Sequence, residues 1–134
     1  MKKETLNFSS KTENLVMVEK FIDDICAEFK LNDDYYGNIL VSITEAVNNA
    51  IKHGNKLDPA KTVNIDFIAK EGPELYFKIT DQGDGFDFEN IPDPTDPENI
   101  EKLNGRGVFL MKNLADQVTF ADKGRIAELL FKIV

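Results

Sequence analysis

Apolar positions along the chain change period four times, and the changes mark its elements. Thr5 to Ser9 alternates, with Leu6 and Phe8 on one side, which predicts a short edge strand. From Thr12 to Lys30 the residues Leu15, Val18, Ile22, Ile25 and Phe29 recur at three- and four-residue steps. That is the spacing of an amphipathic helix, with Thr12 or Asn14 as its N-cap. A second helix is predicted from about Asp33 to His53. Its apolar face is Tyr36, Ile39/Leu40, Ile43, Ala46/Val47 and Ala50/Ile51, and Gly54 is its stop. Thr62–Lys70 and Leu75–Thr80 then read as strands joined by the turn Glu71-Gly72-Pro73. Gly107–Ala115 reads as a helix, and Gln117–Ala121 and Ile126–Val134 as strands around Asp122-Lys123-Gly124. Two helices followed by about four antiparallel strands predict an α+β fold, an α/β sandwich. One layer of helices would lie on one mixed, mostly antiparallel sheet.

The 134 residues predict a single domain over 1–134, long enough for a core without disulfide or metal staples. A net charge of −8 argues against nucleic acid as a direct partner. The one cysteine, Cys26, fits a reducing, cytoplasmic setting. No apolar run reaches the roughly 20 residues of a membrane span, and no secretory leader is read at the start. The charge is local. Asp81 to Glu101 holds eight acids and no base, which leaves 16 acids against 16 bases elsewhere. Three of the five prolines, Pro92, Pro94 and Pro97, lie in that segment, so it suits neither a helix interior nor a central strand. It reads as a lid, a binding loop or a solvated acidic loop.

Three places carry candidate chemistry. On the second helix, Glu45 and Asn49 are four apart and share a face, which Lys52 and His53 continue. Either this is a solvated polar face, or a carboxylate base stands beside an amide oxygen able to ligate a hard cation such as Mg²⁺. Directly after a strand, Asp81-Gln82-Gly83-Asp84-Gly85 sets a carboxylate at a strand end beside two turn-forming glycines. It could be a plain loop turn or a ligand-facing wall. An EF-hand would need oxygen side chains where Gly83 and Gly85 stand. Third, Gly105-Arg106-Gly107 opens a helix, where free N–H groups and the dipole attract anions. It matches neither a Walker A loop nor a dinucleotide fingerprint.

In this order the three motifs resemble the GHKL, or Bergerat-fold, ATPases. The likeness is greatest to the anti-sigma-factor serine/threonine kinases of bacterial partner-switching systems. GFDFENIPDPTDPENIEKLNGRGVFLMKNLADQV resembles their lid and second glycine box, and the likeness runs from Leu6 to about Val134. It implies ATP and Mg²⁺ as cofactors, with Glu45 as general base and Asn49 as the Mg²⁺ ligand. Lys52 and His53 would lie near the phosphates. Asp81 would receive the adenine amino group, and Gly83 and Gly85 would wall the pocket. Residues 87–104 would form the lid, and Gly105, Arg106, Gly107 and Val108 would complete the ATP site. The resemblance further implies a homodimer that phosphorylates a STAS-type anti-sigma antagonist and binds a sigma factor. A histidine kinase fits less well, because those enzymes usually carry Asn at the position of Glu45. Two positions depart from the pattern: Gly124-Arg125 replaces a Gly-Thr pair, and Leu103 stands where some members have Arg. A nucleotide-binding partner switch with little kinase activity is the alternative.

Overall fold

The computed structural model describes residues 2–70, 74–83 and 103–133, backbone alone over 103–108 and at 123. Five strands form one sheet: β1 (Lys2–Ser9), β2 (Thr62–Lys70), β3 (Glu74–Thr80), β4 (Gln117–Ala121) and β5 (Ile126–Lys132), in the order β1-β2-β3-β5-β4. Every pairing among the described residues is antiparallel, in keeping with the expected mostly antiparallel sheet. β1 starts three residues earlier than the alternation predicts. Lys2 there reaches Glu28 and Glu4 by ion pairs, and such charges suit an exposed edge.

Among the described residues the α-helices are α1 (Leu15–Glu28), α2 (Asp33–Asn49) and α3 (Leu103–Leu114). α1 buries Val18, Ile22, Ile25 and Cys26, and α2 buries Ile39, Ile43, Ala46 and Val47. These meet Val63, Ile65, Phe67, Leu75, Phe77, Ile79, Leu129 and Phe131 from alternate strand positions. Phe29, Phe67, Phe77 and Phe131 form a chain of rings 5.0 to 6.0 Å apart across the middle of this core, in favourable edge and tilted geometries. Asn32 caps α2, its side chain accepting from the Tyr35 N–H at 3.0 Å. Neither expected cap of α1 acts as one. Asn14 instead donates to the Ser9 carbonyl at 2.9 Å and to its hydroxyl at 3.0 Å, binding a short 3₁₀ turn to the end of β1. No helix among the described residues is long and apolar enough to cross a membrane.

Two features position the site. α2 does not run to His53 as an α-helix; it passes into a π-helical turn over Ala50–Gly54. The Asn55 N–H reaches back to the Ala50 carbonyl at 2.8 Å, the i→i+5 spacing of π geometry. The second feature is register. β3 pairs with β5 so that Thr80 faces Ile126, which brings Asp81, just past β3, beside Arg125, just before β5. The Asp81 N–H donates to the Arg125 carbonyl at 2.9 Å.

Candidate functional site

Both features open onto one cleft, lined by Ala46, Asn49 and Ala50 from the helix, Ile79 from β3 and Asp81 just past it, Met111 from α3, and Phe120, Gly124, Arg125 and Ala127 from the last hairpin. Its walls are mostly apolar with a few polar groups, the usual lining of a small-molecule site. Two residues from separate motifs, Asn49 and Asp81, thus share a wall although 32 positions apart.

Asp81 is 8 % exposed. Burial raises its pKa, against the lowering by the Gly83 N–H and by the charges of Arg125 and Lys61. Its Oδ1 accepts the Gly83 N–H at 2.8 Å. Gly54 lies against the same carboxylate, and a Cβ there would stand 2.4 Å from Oδ2. Gly83 in turn rests on Gly54, where a Cβ would stand 1.7 Å from the Gly54 carbonyl oxygen. A side chain at Gly83 would force backbone movement, and one at Gly54 would displace the Asp81 carboxylate. Gly54 is therefore more than a helix stop, and it is not in the left-handed region of a C-cap glycine: among described glycines only Gly124 has positive φ.

Asn55 holds this arrangement from beneath and is fully buried. Its Nδ2 donates to Ser10 Oγ at 2.6 Å and to the Thr62 carbonyl at 2.9 Å, and its Oδ1 accepts the Gln82 N–H at 2.7 Å. The amide thus ties the residue after Gly54 to the residue after Asp81. Sequence reasoning missed Asn55, Gly54 as a packing partner, and the wall residues Met111 and Phe120. The one available signal was the run His53-Gly54-Asn55 immediately after an apolar helix face.

Glu45 is half-buried on α2, one turn before Asn49. Asn49 Nδ2 and Asn48 Oδ1 are buried with no hydrogen-bond partner among the described residues, and native structures rarely leave such groups unpaired. Asn49 lines the cleft with its buried Nδ2 a donor left without a partner, which fits a ligand-facing role for that donor. Lys52 and His53 lie in the π turn that follows Asn49, and neither lines the cleft. Lys52 is exposed, and His53 is half-buried, its pKa lowered by burial and by the Lys52 charge. α3 begins at Leu103, four residues ahead of expectation. Gly105, Arg106, Gly107 and Val108 thus fall in its first two turns, and by position the N–H groups of Leu103 to Gly105 precede its hydrogen-bond ladder, which begins at Arg106. The Gly107 N–H falls within the ladder, so it is not among the donors free for an anion. α3 packs along α2. Gly85, the turn 71–73 and lid residues 87–102 lie outside the described residues.

The structure is an α+β sandwich whose cleft lies between its helices and the end of its central strands. The family of histidine kinase-like ATPase domains matches residues 8–131. An anti-sigma F factor of Geobacillus stearothermophilus is 32 % identical over 117 residues, 84 % of this chain and 78 % of that one. A serine-protein kinase RsbW of Oceanobacillus iheyensis is 30 % identical over 103 residues, 72 % of this chain and 65 % of that one. A solved structure of the RsbU and RsbW domains of a Mycobacterium tuberculosis protein superposes with a TM-score of 0.65. At 12 % identity it is a likeness of fold, covering 98 % of this chain and 32 % of that one. The chain belongs to the histidine kinase-like ATPase domain family, among relatives named as anti-sigma factors and serine-protein kinases.

Proposed function

We propose that this protein is an ATP-dependent serine/threonine protein kinase acting as an anti-sigma factor. It phosphorylates a STAS-type anti-sigma antagonist and sequesters a sigma factor. In this reading it works in the cytoplasm as a homodimer, with no direct contact to nucleic acid or membrane. The observation that carries the reading is the shared wall of Asn49 and Asp81: an acceptor carboxylate buried at one strand end, and an unpartnered amide one helical turn beyond Glu45. The anti-sigma and kinase names of the relatives support the choice of acceptor.

In this site the Asp81 carboxylate receives the amino group of the base. Among the described residues no three His, Cys, Asp or Glu side chains converge as metal ligands. A Mg²⁺ ion would be held by Asn49 through its amide oxygen, with water and phosphate oxygens completing its shell. Its chemistry there is neutralisation of phosphate charge. Glu45 accepts the proton of the acceptor hydroxyl as that oxygen bonds to the γ-phosphorus. The bond from phosphorus to the bridging oxygen breaks, and ADP leaves. Positioning and charge neutralisation supply most of the rate in such transfers.

A second reading, a nucleotide-dependent partner switch with little transfer, is favoured by Leu103 and Arg125 at the two departures from the family pattern. Transfer of γ-labelled phosphate from ATP to a STAS-type protein separates the two. Glu45→Gln should cut transfer about 100-fold or more, the usual contribution of a general base, while ATP affinity stays within about threefold. Undiminished transfer in the variant would remove Glu45 from the role. Tight ATP binding without transfer in the parent would favour the switch.

A further inference from the structure

Arg125 grips both ends of the short turn that presents Asp81. Its carbonyl accepts the Asp81 N–H at 2.9 Å, and its Nε donates to the Gly83 carbonyl at 2.5 Å. Its Nη1 also lies 3.3 Å from Asp122 Oδ1, so the planar guanidinium is oriented by acceptors on two sides. Between the two grips, Asp81 Oδ1 is taken by the Gly83 N–H. Oδ2 lies over Gly54, which has no side chain to occupy it. Arg125 lines the cleft itself and is partly exposed at its rim.

We infer that Arg125 is a positioning residue for base selection: by fixing Gly83 against Asp81 it holds the carboxylate as an acceptor, so that the cleft takes a 6-amino purine nucleotide and rejects a 6-oxo one. The inference rests on the nucleotide reading above. An ionised carboxylate only accepts hydrogen bonds, whereas a protonated carboxyl can also donate to a 6-oxo oxygen. Burial favours the protonated form of Asp81, and the charges of Arg125 and Lys61 oppose it, with Asp122 acting the other way. Removing the guanidinium therefore both loosens the turn and admits the wrong base. A Thr at this position could not span to the Gly83 carbonyl with a cation.

Dissociation constants of the magnesium salts of ATP and ITP, measured by calorimetry at one pH, test this on the parent, Arg125→Met and Arg125→Lys. The parent should prefer ATP by at least about tenfold, since a site built around one hydrogen-bonding group rejects an analogue that lacks it. Arg125→Met should bring the two nucleotides within about threefold of each other, and Arg125→Lys should restore part of the preference. Equal weakening of both nucleotides, with the ratio unmoved, would mark Arg125 as merely structural and overturn the inference. So would a parent that binds both alike. A parent that binds neither would overturn the nucleotide reading itself, which is a different failure. Should Arg125→Met not fold, the ratio in Arg125→Lys decides: an intermediate value supports the inference, and the parental value overturns it.

Discussion

Burial raises the Asp81 carboxyl pKa while the Gly83 N–H and two cations pull it down, and burial prevails. A carboxyl raised by folding stabilises the fold in its protonated form. That stability is present below the unfolded value near 3.8 and is lost as pH rises through the raised folded value. At neutral pH the carboxylate thus opposes folding of the empty protein. Asp81→Asn keeps an oxygen for the Gly83 N–H and removes the charge. It should raise the ligand-free melting temperature at pH 7 by on the order of a few degrees, with a smaller gain, or none, near pH 4. Thermal unfolding of both proteins across that range is the check, and a lower melting point for the variant at pH 7 would refute it. The same variant should lose any stabilisation by ATP. A residue whose charge harms the empty fold but serves a ligand is the usual signature of function held at the expense of stability. Only part of this was legible in the sequence. The carboxylate and its neighbouring glycine stood out as Asp-x-Gly, but Gly54, 27 positions earlier, gave no local sign that it would lie against Asp81.

The π turn over Ala50–Gly54 and the amide of Asn55 act at the scale of elements, joining the end of α2 to the ends of β1, β2 and β3. Asn55 is fully buried and uses both ends of its amide, so Asn55→Ala leaves Ser10, Thr62 and Gln82 groups with a lost partner. The cost should be on the order of 3 kcal/mol, because each unpaired buried group carries a desolvation penalty of about 1 kcal/mol or more. Urea unfolding should show a lower midpoint at an unchanged slope; a shift below about 0.5 kcal/mol would place the anchoring elsewhere. Periodicity recovered β2, β3 and β4 nearly to the residue and α1 to within three residues at each end, because each buries a regular stripe. It failed where the backbone left its period. The last turn expected up to His53 is π-helical instead, and an α-helical count cannot register that change. The start of α3 was missed for a related reason: Leu103 to Arg106 show no apolar stripe, and glycines argue for loop. β1 extends into Lys2 because its charges pair at the edge, which hydrophobic alternation does not report.

At the scale of the whole molecule, the cleft draws its walls from α2, β3, α3 and the last hairpin, elements that meet only in the folded chain. A ligand held there binds the native state and not the unfolded one, so its binding energy adds to global stability. Mg-ATP at about 100 times its dissociation constant should stabilise the protein by about 2.7 kcal/mol, on the order of 10 °C in a domain of this length. Asn49→Ala gives this test its second half. The buried Nδ2 has no partner among the described residues, so its removal takes away a desolvated group without breaking a bond it made there. The ligand-free variant should therefore melt at or above the parent's temperature, while most of the ATP-induced shift disappears. Those two responses have opposite signs, and a structural role for Asn49 cannot produce both. A structural residue would lower the ligand-free melting point and leave the shift nearly whole. A shift lost with unharmed stability would place Asn49 on the ligand. Parent protein that ignores ATP and ADP alike would remove the nucleotide from the cleft, and with it the kinase and the switch together.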